Sequence, residues 1–264
     1  MPRILAVANQ KGGVGKPTTA VSVATNIALS GNRTLLVDLD PQGNATTALG
    51  FSPKSVESSS YNVVVQQLPI SAARVTTSVD KLDLLPATMD LAGAEIELVP
   101  MFSRELRLRS AISLVEKDYD YILIDCPPSL GLLTVNSFAA ASEVLVPLQC
   151  EYYALEGLSQ LLNNVELVQD ALNPNLKVSA IVLVMFDART RLAQEVAEEV
   201  RSHFGDLVLS AVVPRSVRLS EAPSYGQPIE IYDPASQGAA AYRAVTKEIL
   251  IQTSDNLALT ERSP

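Results

Sequence analysis

Short, nearly uninterrupted apolar runs alternate along this chain with longer segments whose apolar positions recur every three or four residues. The runs Ile4 to Ala8, Thr34 to Asp38, Leu82 to Leu85, Tyr121 to Asp125, Glu143 to Leu148, Val178 to Val184 and Val208 to Val213 predict strands. Several lack the in-and-out alternation of a half-solvated sheet, which predicts strands covered on both faces. The helical period predicts helices over Thr18 to Leu29, Glu105 to Glu116, Ala154 to Leu172 and Leu192 to Phe204. In the third, Leu155, Leu158, Leu161, Leu162, Val165 and Val168 form a wide apolar stripe. Strands and helices in this alternation predict an α/β fold, a doubly wound, mostly parallel sheet with helices on both faces. Ligands of such sheets bind beyond the carboxyl ends of the strands, so the loops after Ala8, Asp38, Asp125 and Leu148 are expected to line one crevice.

Composition narrows the picture. The chain has 264 residues, enough for one large domain, and no linker-like stretch divides it. We expect a single domain over 1–252 and a polar tail over 253–264. Ser52 to Ser60 reads as a surface loop. A formal net charge of −9 argues against a surface coated for nucleic acid. A local basic patch stays open, because screening over about 8 Å makes local arrangement matter more than the total. No apolar run approaches a membrane span and no charged leader precedes the first strand, so a cytoplasmic protein is expected. Cys126 and Cys150, the two cysteines, have no CxxC spacing and flank apolar runs, which predicts buried, reduced thiols.

Candidate chemistry begins at residues 9 to 19, Asn-Gln-Lys-Gly-Gly-Val-Gly-Lys-Pro-Thr-Thr, between the first predicted strand and helix. Gly12, Gly13 and Gly15, with Val14 between them, let the backbone turn its amides toward phosphate oxygens, and the positive end of the following helix adds to that field. Lys16 supplies a point charge for β- and γ-phosphates, and Thr18 extends the candidate nucleotide-binding set. The loop departs twice from the pattern G-x-x-x-x-G-K-[ST], with Gln10 for the first glycine and Pro17 for the hydroxyl residue. Downstream, Asp38 and Asp40 stand at the end of the second strand, where alternation puts them on one side. A carboxylate there can orient water or hold a metal-bound water, and Asp-Pro-Gln-Gly-Asn is equally a turn signal. Asp125 ends another apolar run and is a candidate magnesium anchor through water.

These residues resemble a known family. Lys11-Gly-Gly-Val-Gly-Lys16, Asp38-Leu-Asp-Pro-Gln-Gly-Asn44, Ile124-Asp-Cys-Pro-Pro128 and Val213-Pro-Arg-Ser-Val-Arg-Leu-Ser-Glu-Ala-Pro223 are similar to the ParA/Soj partition ATPases, within the deviant Walker A class of P-loop NTPases. The resemblance runs from about Ile4 to Leu250. It implies ATP and ADP with Mg2+ as ligands and an ATP-dependent sandwich homodimer. It also implies nonspecific binding of double-stranded DNA, a nucleoid-associated location, and a ParB-type centromere-binding partner that stimulates hydrolysis. By the same resemblance Lys11 crosses to the partner subunit's nucleotide, Lys16 holds the β/γ-phosphates and Asp40 positions the attacking water. Asp125 supports magnesium, Pro214 and Arg215 lie by the adenine, and Arg189 and Arg218 contact DNA, with Arg191 nearby.

Pro17 stands where the family has a threonine whose hydroxyl ligates magnesium. Proline removes that ligand and an amide, and disfavours helical geometry at Lys16. Proline is tolerated in a first helical turn, so the fold is expected to survive. Thr18 is rotated about 100° around the helix from position 17 and is not expected to replace the hydroxyl. Weakened magnesium-dependent ATP binding or hydrolysis is the expectation. A non-catalytic nucleotide sensor or cargo-positioning relative is the alternative. A MinD-type membrane ATPase fits less well, because Ala241 to Pro264 has few basic residues and no sustained apolar face after Leu250. An iron–sulfur reductase is disfavoured by the position of Cys126.

Overall fold

The computed structural model describes the backbone of residues 1–260 and the side chains of residues 1–251. The side chains of the tail set apart at 253–264 fall outside the described residues. Eight strands form one sheet: β1 (Arg3–Val7), β2 (Thr34–Asp38), β3 (Val75–Thr76), β4 (Leu82–Leu85), β5 (Tyr121–Asp125), β6 (Glu143–Gln149), β7 (Lys177–Phe186) and β8 (Val208–Pro214). Their order is β3-β4-β2-β5-β1-β6-β7-β8. Every neighbouring pair is parallel except β3 with β4. The expected doubly wound α/β architecture is the one observed. The seven predicted strands are present with ends shifted by at most a few residues, and β3, a two-residue antiparallel edge, is the one the apolar pattern does not announce.

Burial explains why the strands read as continuous apolar runs. Ala6, Leu35, Val37, Ile122 and Ile124 face one layer of core, with Leu133, Phe138, Leu158 and Val200 from the helices on that side. Leu5, Val7, Leu36 and Leu123 face the other, against Val23, Ile27, Tyr242 and Val245. Successive side chains of one strand point to opposite faces, so a sheet buried on both requires apolar residues at nearly every position. The second layer is made largely by the helix Lys16–Leu29 and the last helix, Gln237–Thr260.

The central strand is tied to both. Arg3 donates to the two carboxylate oxygens of Glu143 and to the Ile249 carbonyl, each at 2.7 Å. Burial alone raises a carboxyl, but the Arg3 bonds outweigh it and hold Glu143 below its ordinary range. The topology places β1 between β5 and β6, so the loops after β1, β2 and β5 rise together at one end of the sheet.

Candidate functional site: a phosphate-loop cleft

The loop after β1 is held before it bends. Asn9 donates to the Pro147 carbonyl at 2.7 Å and accepts from the Lys11 amide at 2.9 Å, fixing the loop to the end of β6. Gly13 and Gly15 then take φ values of 78° and 74°, a left-handed region that L side chains adopt at a cost. The helix opens at Lys16, with Pro17 in its first turn. Pro17 therefore does not keep Lys16 out of helical geometry as its local preference suggests. At the helix start the missing N–H has no intrahelical partner to lose. The first intrahelical bond runs from the Thr19 N–H to the Gly15 carbonyl at 2.9 Å, which leaves the Lys16 and Thr18 amides for an anion. Pro17 contributes none.

A cleft of about 470 Å³ lies over this turn. Gly12, Gly13, Gly15, Lys16, Pro17 and Thr18 line it, together with Asp40, Gln42, Pro128 and Met185. A smaller pocket of about 190 Å³ adjoins it, bounded by Pro214, Arg215, Leu219 and Tyr242, and it shares Gly15, Thr18, Met185 and Pro223 with the cleft. The cleft over the glycine loop thus continues into a mostly apolar slot beside Pro214 and Arg215. Val14 is 1% exposed, so its side chain belongs to the core and only its backbone faces the turn. A comparable cleft of about 490 Å³ between the first and last helices, lined by Asn26, Ser30, Arg243 and Lys247, has no glycine loop and no acidic strand end.

The charges converge unequally. Lys16 is buried, its Nζ 3.5 Å from the Lys11 carbonyl. Burial lowers its pKa, opposed by the nearby acidic groups Asp125, Cys126 and Asp40. Asp125 is fully buried and neither carboxylate oxygen has a hydrogen-bond partner. Burial, with Asp38 and Asp40 beside it, pushes its carboxyl well above the ordinary range, against the pull of Lys16. A buried carboxylate with two free oxygens beside a buried lysine is an arrangement that bound cations and phosphates complete.

Asp38 and Asp40 have separate roles. Of the two, Asp40 is among the residues that line the cleft and Asp38 is not; β2 ends at Asp38, opposite Asp125. Asp38 accepts from the Asp40 amide on Oδ1 at 3.2 Å, and from the Thr46 amide and hydroxyl on Oδ2, both at 2.7 Å. Both oxygens already have donors, which makes Asp38 an anchor of the turn into the helix Asn44–Ala48. Burial still raises its carboxyl to about 6, partly offset by the Thr46 bonds. Asp40 lines the cleft, held by the Gln42 amide at 2.9 Å. Among the described residues no group of three or more His, Cys, Asp or Glu side chains is arranged to hold a metal ion.

Lys11 lies at the rim, half-exposed, and its Nζ pairs with Glu151 of the loop after β6. Met185, Tyr242 and Pro223 are site residues that sequence reasoning missed. Met185 has φ 50°, a strained value for a side-chain residue, and sits between cleft and pocket. Tyr242 reaches from the last helix to within 3.0 Å of the Thr19 hydroxyl. Neither carries a local sequence signal.

The two candidate DNA-contacting arginines lie on neighbouring loops, and each is paired with a carboxylate. The register pairs Phe186 with Pro214, so the loops starting at Asp187 and Arg215 emerge side by side. Arg189 is 88% exposed and makes a bidentate pair with Asp187, at 2.8 and 2.7 Å. Hydrogen bonds from Arg189 lower the Asp187 carboxyl to about 2. Arg218 pairs with Glu221 at 3.0 Å and Asp233 at 3.4 Å, and Arg191 with Glu195 at 2.7 Å. Cys126 and Cys150 are buried free thiols as expected, pushed by burial up to about 12 and about 11. No helix among the described residues is long and apolar enough to cross a membrane.

Comparison with known proteins fits this geometry. A family model described as an AAA domain matches residues 2–178. The sporulation initiation inhibitor protein Soj of Bacillus subtilis is 55% identical over 249 residues, covering 94% of this chain and 98% of that protein. The chromosome partitioning protein ParA of Myxococcus xanthus is 52% identical over 248 residues, covering 94% and 88%. Among solved structures, cobyrinic acid a,c-diamide synthase from Mycobacterium smegmatis, with bound ADP and magnesium, is 40% identical with a TM-score of 0.85 and 97% of each chain covered. Identity of this extent, with relatives of nearly the same length, carries the assignment: the chain belongs to the ParA/Soj family of chromosome-partitioning P-loop ATPases.

Proposed function

We propose that this chain works as a nucleotide-gated DNA-partition ATPase. ATP brings two copies together, the pair binds double-stranded DNA without sequence preference, and a ParB-type partner triggers hydrolysis and release. The observation that carries the reading is the glycine-lined cleft shared by Lys16 and Asp40, with the unpartnered Asp125 buried beside Lys16. In this reading Lys16 and the free amides of the loop hold the β- and γ-phosphates. The adenine takes the slot by Pro214 and Arg215, and Asp40, fixed by its turn, orients water toward the γ-phosphorus. Asp125 fits a magnesium ion reached through water, since its two buried oxygens lack donors. Magnesium held there would supply positive charge that offsets the charge of the transferring phosphoryl group. Asp38, with both oxygens engaged, shapes the Asp40 turn and is the weaker metal candidate.

Two features limit the cycle in this chain. Pro17 offers no hydroxyl and no amide inside the cleft, which supports weakened magnesium-dependent binding or turnover. Lys11, assigned to the partner subunit's nucleotide, is paired with Glu151 within its own subunit and must leave it to cross. Arg189 and Arg218 supply the DNA contact, duplicated by the second subunit, and each must exchange a carboxylate for a phosphate.

The test compares the chain as written with Pro17→Thr for ATP binding, hydrolysis and nonspecific DNA binding, with and without magnesium. Turnover and ATP-dependent DNA binding gained by Pro17→Thr alone support both the reading and the lesion. Equal, normal turnover in both overturns the account of Pro17, and absence of nucleotide binding in both overturns the reading of the cleft.

A further inference from the structure

The loop that follows Asp125 is fastened at its far end by a side chain from another part of the fold. The helix Leu132–Ala140 begins directly after this loop. Its first two amides have no intrahelical acceptor. Glu95, on the short surface helix Leu91–Glu97, takes both: Oε2 accepts from the Leu132 amide at 2.7 Å and Oε1 from the Leu133 amide at 3.3 Å. A carboxylate bound this way also sits against the positive end of the helix dipole. Gly131 supplies a second, independent observation. A Cβ built there would lie 2.2 to 2.4 Å from the Glu95 carboxyl group, and all of its nearest neighbours are Glu95 atoms. The Gly131 backbone is extended, at φ −85°, so the position needs a glycine for the carboxylate's sake and not for its own conformation.

We infer that Glu95 is a positioning residue for the phosphate cleft. By holding the start of the helix Leu132–Ala140, it fixes the exposed turn Pro128 to Leu130, whose first member forms part of the cleft wall. The Thr134 hydroxyl donates to the Ser129 carbonyl at 2.6 Å and closes the same turn from within the helix. From outside the helix, Glu95 holds the two amides that follow the turn. The loop's other end is Asp125 itself, so slack introduced at Gly131 reaches the wall beside the phosphates and the metal candidate. The clamp stands on its hydrogen bonds alone, whereas its kinetic consequence rests on the proposed ATP turnover at this cleft.

Three variants, Glu95→Ala, Glu95→Gln and Gly131→Ala, test it, together with the double variant Glu95→Ala/Gly131→Ala. Each is made in the chain as written and in the Pro17→Thr background. Amide hydrogen exchange, read in the chain as written, should speed at Leu132 and Leu133 by about tenfold or more in Glu95→Ala, less in Glu95→Gln. Gly131→Ala should match Glu95→Ala, and the double variant should be no faster than either, because the added methyl acts only by expelling the carboxylate. In the Pro17→Thr background, kcat for ATP should fall about tenfold with KM changed by less than about twofold and the thermal midpoint nearly unmoved. Unchanged exchange in Glu95→Ala, or additive effects of the two substitutions, overturns the clamp. Faster exchange with unchanged kcat assigns Glu95 to stability alone and overturns its role in positioning. If Pro17→Thr itself lacks turnover, the hydrolysis reading fails while the exchange data still decide the clamp.

Discussion

Glu230 is a buried acid whose removal should stabilise the protein in a pH-dependent way. Its side chain lies between the first and last helices, 6% exposed. Oε1 accepts from Asn26 Nδ2 at 2.8 Å and Oε2 has no partner. Burial raises its carboxyl from 4.5 to about 8, with Asn26, Ser22 and Arg243 pulling the other way. The folded protein therefore keeps this proton at pH 7 while the unfolded chain has released it. Stability from this site is complete below pH 4.5 and is lost as pH rises through about 8. The slope is about 1.4 kcal/mol per pH unit, so at pH 7 the protein is about 3 kcal/mol less stable than in acid on this account. Glu230→Gln keeps the acceptor for Asn26 and removes the titration. Urea unfolding of both proteins should show the variant gaining under about 1 kcal/mol at pH 5 and about 3 kcal/mol at pH 7. Any constant offset from the new amide shifts the variant's curve without changing its slope. Parallel curves between pH 5 and 8 would refute the reasoning.

Three further outcomes concern the ion pairs. Asp187→Asn frees Arg189 from its bidentate partner and should tighten ATP-dependent DNA binding severalfold, whereas Arg189→Ala, lost twice in a dimer, should flatten the salt dependence of binding by about two units of log K per log salt; fluorescence anisotropy across a salt series measures both. Glu151→Gln releases Lys11 and should raise the dimer fraction at a fixed ATP concentration by a few-fold in sedimentation experiments. An unchanged fraction would show that the exposed pair does not compete with association.

The sheet was legible because burial on both faces writes itself as apolar runs, as in Leu35-Leu36-Val37. The glycine loop, Lys16 and Asp125 were legible because strand ends and backbone turns have local residue signatures. Other parts had none. The helix Leu132–Ala140 is apolar or small on most sides and buried almost throughout, so no amphipathic period marks it. Asp38 and Asp40 read alike until the turn gives one of them Thr46 as a partner, and that depends on where strand pairing ends. Arg218 meets Asp233 only through tertiary folding. Met185 and Tyr242 enter the site from distant strands and helices, which spacing along the chain cannot reveal.

The position of β1 bears on how this protein is made. Its residues pair with Tyr121–Asp125 on one side and with Glu143 to Leu145 on the other. The phosphate loop directly follows that strand, yet its neighbours are encoded more than a hundred residues later. At ribosomal speeds of roughly 5–20 residues per second, the loop waits on the order of ten seconds before any sheet exists to support it. A nascent chain therefore cannot bind nucleotide early. Competence arrives late, after β5 and β6 have closed around the first strand and the chain that lines the adjoining slot, through Tyr242, has left the ribosome. A series of stalled nascent chains should gain nucleotide-dependent protease resistance only beyond that length.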